Sequence, residues 1–332
     1  MTKYDVLTIG NAIVDIIARA EDDFLIENKI IKGAMNLIDA DRAQFLYDRM
    51  GPAIETSGGS ASNTAAGVAS FGSSAAYFGK VADDQLGEIF RHDIRAQGVA
   101  FDTSPLDRTP PTARSMIFVT PDGQRSMNTY LGACVELSPE DVEEDKAANS
   151  AIVYFEGYLW DPPRAKNAIR KTAQIAHANA GKVAISLSDP FCVDRYRAEF
   201  LELMQSGTVD IVFANEEELK SLYQTSDFDT AVEALRDDTE LAAITHGAQG
   251  SVIVRGDESY KIEAIEIDDL VDTTGAGDLY AAGFLHGLSR GYDLEKCGNL
   301  GSLAAGIIIQ QIGPRPQVSM AQAAIDAGLE SA

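Results

Sequence analysis

The sequence is short of positive charge and of long apolar runs, and each shortage argues against a class of partner. Among its 332 residues, 27 lysines and arginines face 51 aspartates and glutamates, which gives a formal net charge of −24. Such a chain repels nucleic-acid backbones and anionic membrane surfaces, so we expect neither as a partner. No stretch approaches the length of a membrane span, and Asp5 and Asp15 interrupt the apolar start, which therefore lacks a signal-peptide core.

Cysteine is also scarce, and two common nucleotide-binding signatures are missing. Cys134, Cys192 and Cys297 show no C-x-x-C spacing, and the four histidines do not cluster with them. A disulfide framework or a zinc site is therefore not expected, and a reducing, cytoplasmic location fits the composition. Neither Gly-Lys pair stands in a P-loop and no G-x-G-x-x-G occurs, so P-loop and dinucleotide-binding folds lose their main support.

Short apolar runs that end in glycine or a polar residue recur along the chain, as in YDVLTIG, AIVYFEG and DIVFANE. They are typical of buried strands, and from about residue 150 onward they alternate with helical stretches. This pattern predicts an α/β fold with a parallel, doubly wound sheet that binds ligands at the carboxyl ends of its strands. Residues from about 12–37 and 99–131 instead predict a small antiparallel β lobe inserted into one folding unit, 1–332.

The stretch DTTGAGDLYAAGF places one carboxylate, Asp278, at the start of a predicted helix, directly after Gly275, Ala276 and Gly277. The unobstructed N–H groups of this turn and the positive end of the helix dipole form an anion hole. A carboxylate there would repel a bound phosphate unless it accepts the proton of a hydroxyl that attacks that phosphate. On these residues alone, a base and an ordinary first-turn acid both stay open.

Three further stretches carry candidate ligand contacts. Gly58 and Gly59 would let a sugar ring approach the backbone, and Asn63 can donate and accept toward a pair of hydroxyls. Asp15, just beyond the first strand, could bind vicinal hydroxyls or be a solvated loop acid. Asn215 and Glu218 suit the hydration shell of Mg²⁺, although an N-cap with acidic first-turn residues explains the same letters.

These stretches together resemble the PfkB (ribokinase-like) family of carbohydrate and nucleoside kinases. The stretch from Asp272 to Leu285 matches the second signature of the family, and GGSASNTAAGVASFG matches the first, although Ala82 stands where glycine is usual. The likeness runs from Gly10 to about Pro314 and implies a three-layer α/β/α fold with a small β-sheet lid. It also implies that Asp278 is the base.

The resemblance implies further roles for the other candidates. The amides of residues 275–277 would stabilise the phosphoryl group, and Asp15 would bind the ribose hydroxyls. The cofactors would be ATP and Mg²⁺, with Glu218 reaching Mg²⁺ through water and Asp272 beside an optional K⁺. The residues that would face ATP are Asn215, Thr245, Gly247, Gly250 and Asn299.

The acceptor is inferred from stretches such as GNAIVDI and SLSDPFC, which look more like the adenosine kinases of the family than its ribokinases or fructokinases. A purine needs an apolar or stacking face and an edge hydrogen-bonder, which Met127, Asn128 and Tyr130 could supply; a structural strand is the alternative reading. We expect ATP-dependent 5′-phosphorylation of a ribonucleoside: adenosine first, then guanosine or inosine. The alternatives are a kinase of ribose, fructose or a related sugar acid, and a non-catalytic nucleoside sensor. Both a monomer and a homodimer joined through the lids fit the sequence.

Overall fold

A nine-stranded sheet forms the centre of the computed structural model, which describes residues 3–331. Its strands are β1 (Tyr4–Ile9), β5 (Ala75–Phe78), β6 (Val99–Ala100), β9 (Ser150–Glu156), β10 (Lys182–Ser186), β11 (Ile211–Asn215), β12 (Leu241–Thr245), β13 (Ser251–Arg255) and β14 (Glu258–Ile262). They lie in the order β14-β13-β12-β11-β10-β9-β1-β5-β6. Seven of them pair in parallel, whereas β13 and β14 are each antiparallel to their neighbours because only short turns connect β12, β13 and β14.

Helices cover both faces of this sheet, because successive side chains of its strands point to opposite faces and both sets are apolar. In β1, for example, Val6 joins the core on one face and Leu7 the core on the other. The first face packs against α3 (Ser60–Ser70), α4 (Gln85–Ala96), α10 (Ala276–Ser289), α11 (Leu294–Ile308) and α12 (Met320–Asp326). The second packs against α5 (Glu144–Ala148), α6 (Pro163–Ala178), α7 (Pro190–Gln205), α8 (Glu216–Tyr223) and α9 (Phe228–Leu235). The expected three-layer α/β/α fold is confirmed.

A smaller sheet of five strands stands apart from the large one. Its strands are β2 (Ile13–Arg19), β3 (Met35–Leu37), β4 (Ala53–Gly58), β7 (Ala113–Val119) and β8 (Arg125–Tyr130), in the order β3-β8-β7-β2-β4. Two short helices, α1 (Asp22–Glu27) and α2 (Ala40–Tyr47), lie between its strands in the sequence.

The smaller sheet differs from the expected lobe in three respects. It is mixed, because β2 pairs in parallel with β7, and β3 with β8. It includes β4, which lies outside the expected ranges because its sequence AIETSG has only one large apolar residue, Ile54, to mark it. Residues 99–100, expected in the lobe, pair with β5 in the large sheet.

The direction in which the chain adds strands reverses beside β1. The chain passes from β1 outward to β5 and β6, and then continues from β9 on the other side of β1. Loops that leave β1 and β9 therefore separate at this point and open a crevice at the carboxyl ends of the strands. Asn11 and Glu156 lie there, and the smaller sheet begins only four residues after β1 ends.

Helix α10 packs tightly between α3 and α11, and glycines allow the close approach. A Cβ atom on Gly67 of α3 would lie 2.6 Å from the Cβ of Ala282, and one on Gly283 would lie 2.4 Å from the carbonyl oxygen of Leu300. The backbone of α3 thus lies against the Ala282 side chain and that of α10 against the Leu300 carbonyl group, which fixes α10 relative to both neighbours. None of the helices within residues 3–331 is long and apolar enough to cross a membrane.

Replacing Gly283 with alanine tests this packing. Alanine normally favours a helix over glycine by about 0.5–1 kcal/mol. Here we expect a net loss of about 1–3 kcal/mol in the free energy of unfolding, because the new methyl group overlaps backbone atoms that cannot rotate away. Urea denaturation measures the loss. The matched control is Gly51→Ala, since no heavy atom lies within 4 Å of a Cβ there. Equal stability of the Gly283→Ala variant and the wild-type chain would contradict the packing argument.

Candidate active site

A cleft of about 1340 Å³ lies between the smaller sheet and the carboxyl ends of the large sheet. Its walls include Asp15 and Met127 of the smaller sheet, Asn215 and Thr245 at the ends of β11 and β12, and Asp278 at the start of α10. A substrate bound at one end of the cleft and a nucleotide at the other would therefore meet near Asp278.

Two side chains of α3 hold the carboxylate of Asp278. Ser60 Oγ donates to Asp278 Oδ1 at 2.6 Å, and Asn63 Nδ2 donates to Oδ2 at 2.8 Å. Burial raises the pKa of Asp278, while these two hydrogen bonds and the positive charge of Arg315 act in the opposite direction. Two donors aimed at two different oxygens favour the ionised carboxylate, which is the form that can accept a proton.

The 275–277 turn precedes and begins α10 beside this carboxylate. Gly275 is the N-cap and has φ +81°, a left-handed conformation that favours glycine. All three residues line the cleft, and no heavy atom lies within 4 Å of a Cβ placed on Gly277. The amide of Ala276 donates to Thr273 O at 3.2 Å, so the amides of Gly275 and Gly277, at the start of a 14-residue helix, are the ones that can bind an anion in the cleft.

The acceptor candidates from the sequence converge at the crevice. Asp15, Gly59 and Asn63 line the cleft, whereas Gly58 does not. Gly58 instead makes room for Asp15, because a Cβ on it would lie 2.4 Å from an oxygen of that carboxylate. Burial, and to a smaller extent the charge of Asp278, raises the pKa of Asp15 to about 6. The positive charges of Arg315 and Arg125 act in the opposite direction.

One acceptor atom in this region has no partner. Asn63 is only 4% exposed, and its Oδ1 forms no hydrogen bond, although its Nδ2 is bonded to Asp278. A buried amide oxygen without a donor is unfavourable by about 1–3 kcal/mol. A hydroxyl-bearing ligand in the cleft would supply that donor.

Strand β8 presents only part of its expected contacts to the cleft. Met127 and Thr129 line it, but Asn128 and Tyr130 do not. Alternate residues of a strand point to opposite faces, so Met127 cannot share a face with the other two candidates. Asn128 is buried behind the sheet, and Tyr130 packs against the core beside Arg114. The expected contacts of Asn128 and Tyr130 with a base are therefore not supported by this geometry.

At the other end of the cleft, four of the five residues expected beside ATP line the wall: Asn215, Thr245, Gly247 and Gly250. Asn299 does not line it, because it lies one turn of α11 before Ser302, where the wall begins. Apolar residues line this part of the cleft: Ala264, Ile265, Ala305, Gly306 and Ile309. An apolar wall of this kind can pack against a ring such as adenine.

Glu218 lines the cleft, but its carboxylate is partly occupied. It accepts hydrogen bonds from Asn215 N at 3.0 Å and Asn215 Nδ2 at 2.6 Å, so the two residues form the capping box of α8. Burial raises the pKa of Glu218 to about 7. Among residues 3–331 no three histidine, cysteine or acidic side chains cluster around a common metal position. This donor set fits a Mg²⁺ ion held by water and phosphates, with Glu218 in contact through water.

The fit is poorer for a monovalent cation on Asp272. Its carboxylate accepts from Thr274 N at 3.0 Å and from Gly313 N at 2.9 Å, and Arg125 Nη2 lies 2.9 Å from Oδ2. The charge of Asp272 is thus already balanced by a buried guanidinium, beside which a second cation would be repelled. A K⁺ ion beside Asp272 therefore does not fit this arrangement.

Two buried charges in the site were not anticipated from the sequence. Glu156, at the end of β9, accepts from Asn11 N at 2.8 Å, Asn11 Nδ2 at 2.7 Å and Ala61 N at 2.8 Å, and burial raises its pKa to about 7. Arg315 donates to Ser57 O in β4 and to Ser62 Oγ in α3. The sequence contained a signal for Glu156, since an acid ended a buried strand, but nothing in GPRP marks the arginine.

Comparisons with known proteins agree with this geometry. The crystal structure of adenosine kinase from Sinorhizobium meliloti is 71% identical, with a TM-score of 0.93 over 98% of this chain and 99% of that one. That of a probable sugar kinase protein from Rhizobium etli is 64% identical, with a TM-score of 0.95 over 99% of this chain and 100% of that one. The adenosine kinase of Saccharomyces cerevisiae is 27% identical over 93% of this chain and 95% of its own.

The expected ribokinase-like fold is thereby confirmed, and kinase relationship implies ATP and typically Mg²⁺. A family model described as pfkB family carbohydrate kinase matches residues 50–320, and the chain belongs to this family of kinases.

Proposed function

We propose that the chain transfers the γ-phosphoryl group of ATP to the 5′-hydroxyl of a ribonucleoside, with adenosine as the preferred acceptor and guanosine or inosine as weaker ones. Asp278 is the base in this proposal. The observation that carries it is the arrangement around Asp278: two donors hold its carboxylate beside the 275–277 turn, and Asn63, whose amide oxygen is unpaired, lines the same cleft.

The chain's own groups would divide the work as follows. Asp15 and Asn63 would hold the ribose hydroxyls, and Asp278 would accept the 5′-hydroxyl proton as the oxygen attacks. The amides of the 275–277 turn would bind the phosphoryl group as charge develops on it. Glu218 would contact, through water, the Mg²⁺ ion that neutralises phosphate charge when bound.

The wall formed by the smaller sheet favours a nucleoside over a free sugar. Its side chains in the cleft are mostly apolar: Ile13, Met35, Leu37, Met127 and Leu131. The two hydroxyls among them, Ser115 and Thr129, bond to each other at 2.8 Å. A nucleobase fills such a space well, whereas a free hexose or pentose would leave its hydroxyls unpaired there. The smaller sheet would act as a lid that excludes water and so limits ATP hydrolysis.

The first test is an acceptor panel of adenosine, guanosine, inosine, ribose and fructose. We expect ADP release in a coupled assay and an increase in melting temperature with adenosine, and smaller responses with the other two nucleosides. Turnover of free sugars alone would replace the nucleoside proposal by the sugar-kinase alternative. Stabilisation by adenosine without any turnover would favour the nucleoside sensor.

The second test removes the proposed base. The Asp278→Asn variant keeps the shape of the side chain but cannot accept a proton, so we expect kcat to fall by about 10²- to 10⁴-fold. Adenosine binding, measured by calorimetry, should be largely kept. The control is Asp326→Asn on α12, which bonds only to an exposed glutamine. A near wild-type kcat in the Asp278→Asn variant would refute the assigned mechanism.

The third test follows from the raised pKa of Asp278. Only the ionised carboxylate can accept a proton, so kcat/KM should fall as the pH is lowered through that pKa. The Ser60→Ala variant removes a hydrogen bond that stabilises the charged form, so its acidic limb should move to higher pH. Ser70→Ala at the far end of the same helix is the control, and its limb should not move. An unshifted limb in Ser60→Ala would show that another group controls the acidic side.

A further inference from the structure

The 313–315 segment after α11 contacts three stretches of chain that lead to residues of the cleft. Gly313 N donates to Asp272 Oδ2 at 2.9 Å, at the start of the stretch that carries the anion turn. Pro314 packs on the turn itself, since a Cβ on Gly275 would lie 2.6 Å from the Cβ of the proline. Arg315 donates to Ser57 at the end of β4 and to Ser62 at the start of α3. Three consecutive residues thus connect the 275–277 turn, called the anion turn, to residues 57–62, called the acceptor loop, which run from the end of β4 into the start of α3.

Arg315 holds the 57–62 loop at both ends. Its Nε donates to Ser57 O at 3.1 Å, and its two terminal nitrogens donate to Ser62 O at 2.5 Å and Ser62 Oγ at 2.7 Å. Ser62 Oγ in turn bonds to the carbonyl oxygens of Gly58 and Gly59. This loop delivers Ser60 and leads into Asn63, the two residues that donate to Asp278. A planar guanidinium with several fixed donors suits such a task, whereas a lysine offers a single point of attachment.

Arg315 also places a positive charge behind the acids of the site. Burial lowers its pKa to about 10, so it stays charged at neutral pH. Its charge lowers the pKa of both Asp15 and Asp278. The other ionisable groups that interact with these two acids are Arg125, Tyr154, Glu156, Tyr158 and Glu218. The two tyrosines stay neutral at pH 7 because burial raises their pKa, the two glutamates have a pKa of about 7, and only Arg125 shares the positive sign of Arg315.

We infer that Arg315 is a positioning residue for phosphoryl transfer, which fixes the acceptor loop against the anion turn and supplies a buried positive charge behind Asp15 and Asp278. The inference rests on the proposed function, because it assigns Arg315 to the same reaction. Arg315 itself touches neither the acceptor hydroxyl nor the phosphoryl group, since it does not line the cleft.

Two variants separate the effect of the hydrogen bonds of Arg315 from the effect of its positive charge. In Arg315→Gln both are lost, so we expect kcat to fall by about 100-fold, as small misplacements of reacting groups do. The acidic limb of kcat/KM should also move up by about one pH unit. In Arg315→Lys the charge remains but the planar set of guanidinium donors is lost. We therefore expect kcat to fall while the acidic limb of kcat/KM stays near its wild-type position. A purely structural role would lower the melting temperature of both variants without moving the limb of either.

The control is Arg236, which donates to the carbonyl oxygens of Gly256 and Glu258 outside the cleft. Arg236→Gln should change neither kcat nor the limb. A folded Arg315→Gln protein with kcat within threefold of wild type and an unmoved limb overturns the inference. If Arg315→Gln does not fold, Arg315→Lys decides, and a wild-type kcat in that variant overturns it.

A titration of the Asp278 carboxyl by carbon-13 NMR separates failure of this inference from failure of the proposed function. It measures the carboxyl in the ligand-free protein, whether or not any acceptor is turned over. A higher pKa of Asp278 in Arg315→Gln than in wild type, in a chain that phosphorylates nothing on the panel, would refute the nucleoside kinase proposal while supporting the charge effect. An unchanged pKa in an active kinase would refute the charge effect alone.

Discussion

The pair of hydrogen bonds from α3 to Asp278 is the contact on which the rest of the site depends. Ser60 and Asn63 lie more than 200 positions away from Asp278 in the sequence, so only the packing of α3 against α10 brings them together. That packing is set by glycines whose neighbours leave no space for a methyl group. Backbone contact far inside the core therefore determines the geometry of a carboxylate at the surface of the cleft.

A site of this kind must bind a polyphosphate with a chain whose net charge is −24. Asp15, Glu156, Glu218 and Asp278 lie around the same cleft, and burial raises the pKa of each. In the proposed function, attraction for the nucleotide comes from backbone amides at the start of α10 and from the metal ion that accompanies ATP. These are localised charges, so they act where the phosphates lie without making the protein surface basic.

The sequence predicted the layers and the strands of the fold because the apolar runs were strong and regularly spaced. It missed β4 because the composition of that strand is polar. It assigned residues 99–100 to the wrong sheet because a two-residue strand carries too little sequence to indicate its pairing partner. In the site, Asp278 and Asn63 could be predicted because the spacing of the signatures is constrained, and both line the cleft. Asn128 and Tyr130 were misplaced although strand alternation already separated them from Met127. Arg315 could not be found, since its contacts join positions more than 250 residues apart.

The short connection between β1 and β2 is the point about which the smaller sheet would rotate. Only residues 10–12 separate the large sheet from the smaller one there, and Gly59 lies against Asn11 on the returning chain. Asp15 lies close to this point, whereas Met35 and Met127 lie farther out on the smaller sheet. Any rotation of that sheet would move the outer residues through a wide arc and leave the acidic residue almost in place. The ribose of a bound nucleoside would then contact Asp15 at a nearly fixed position. The contacts to its base would depend on how far the smaller sheet rotates.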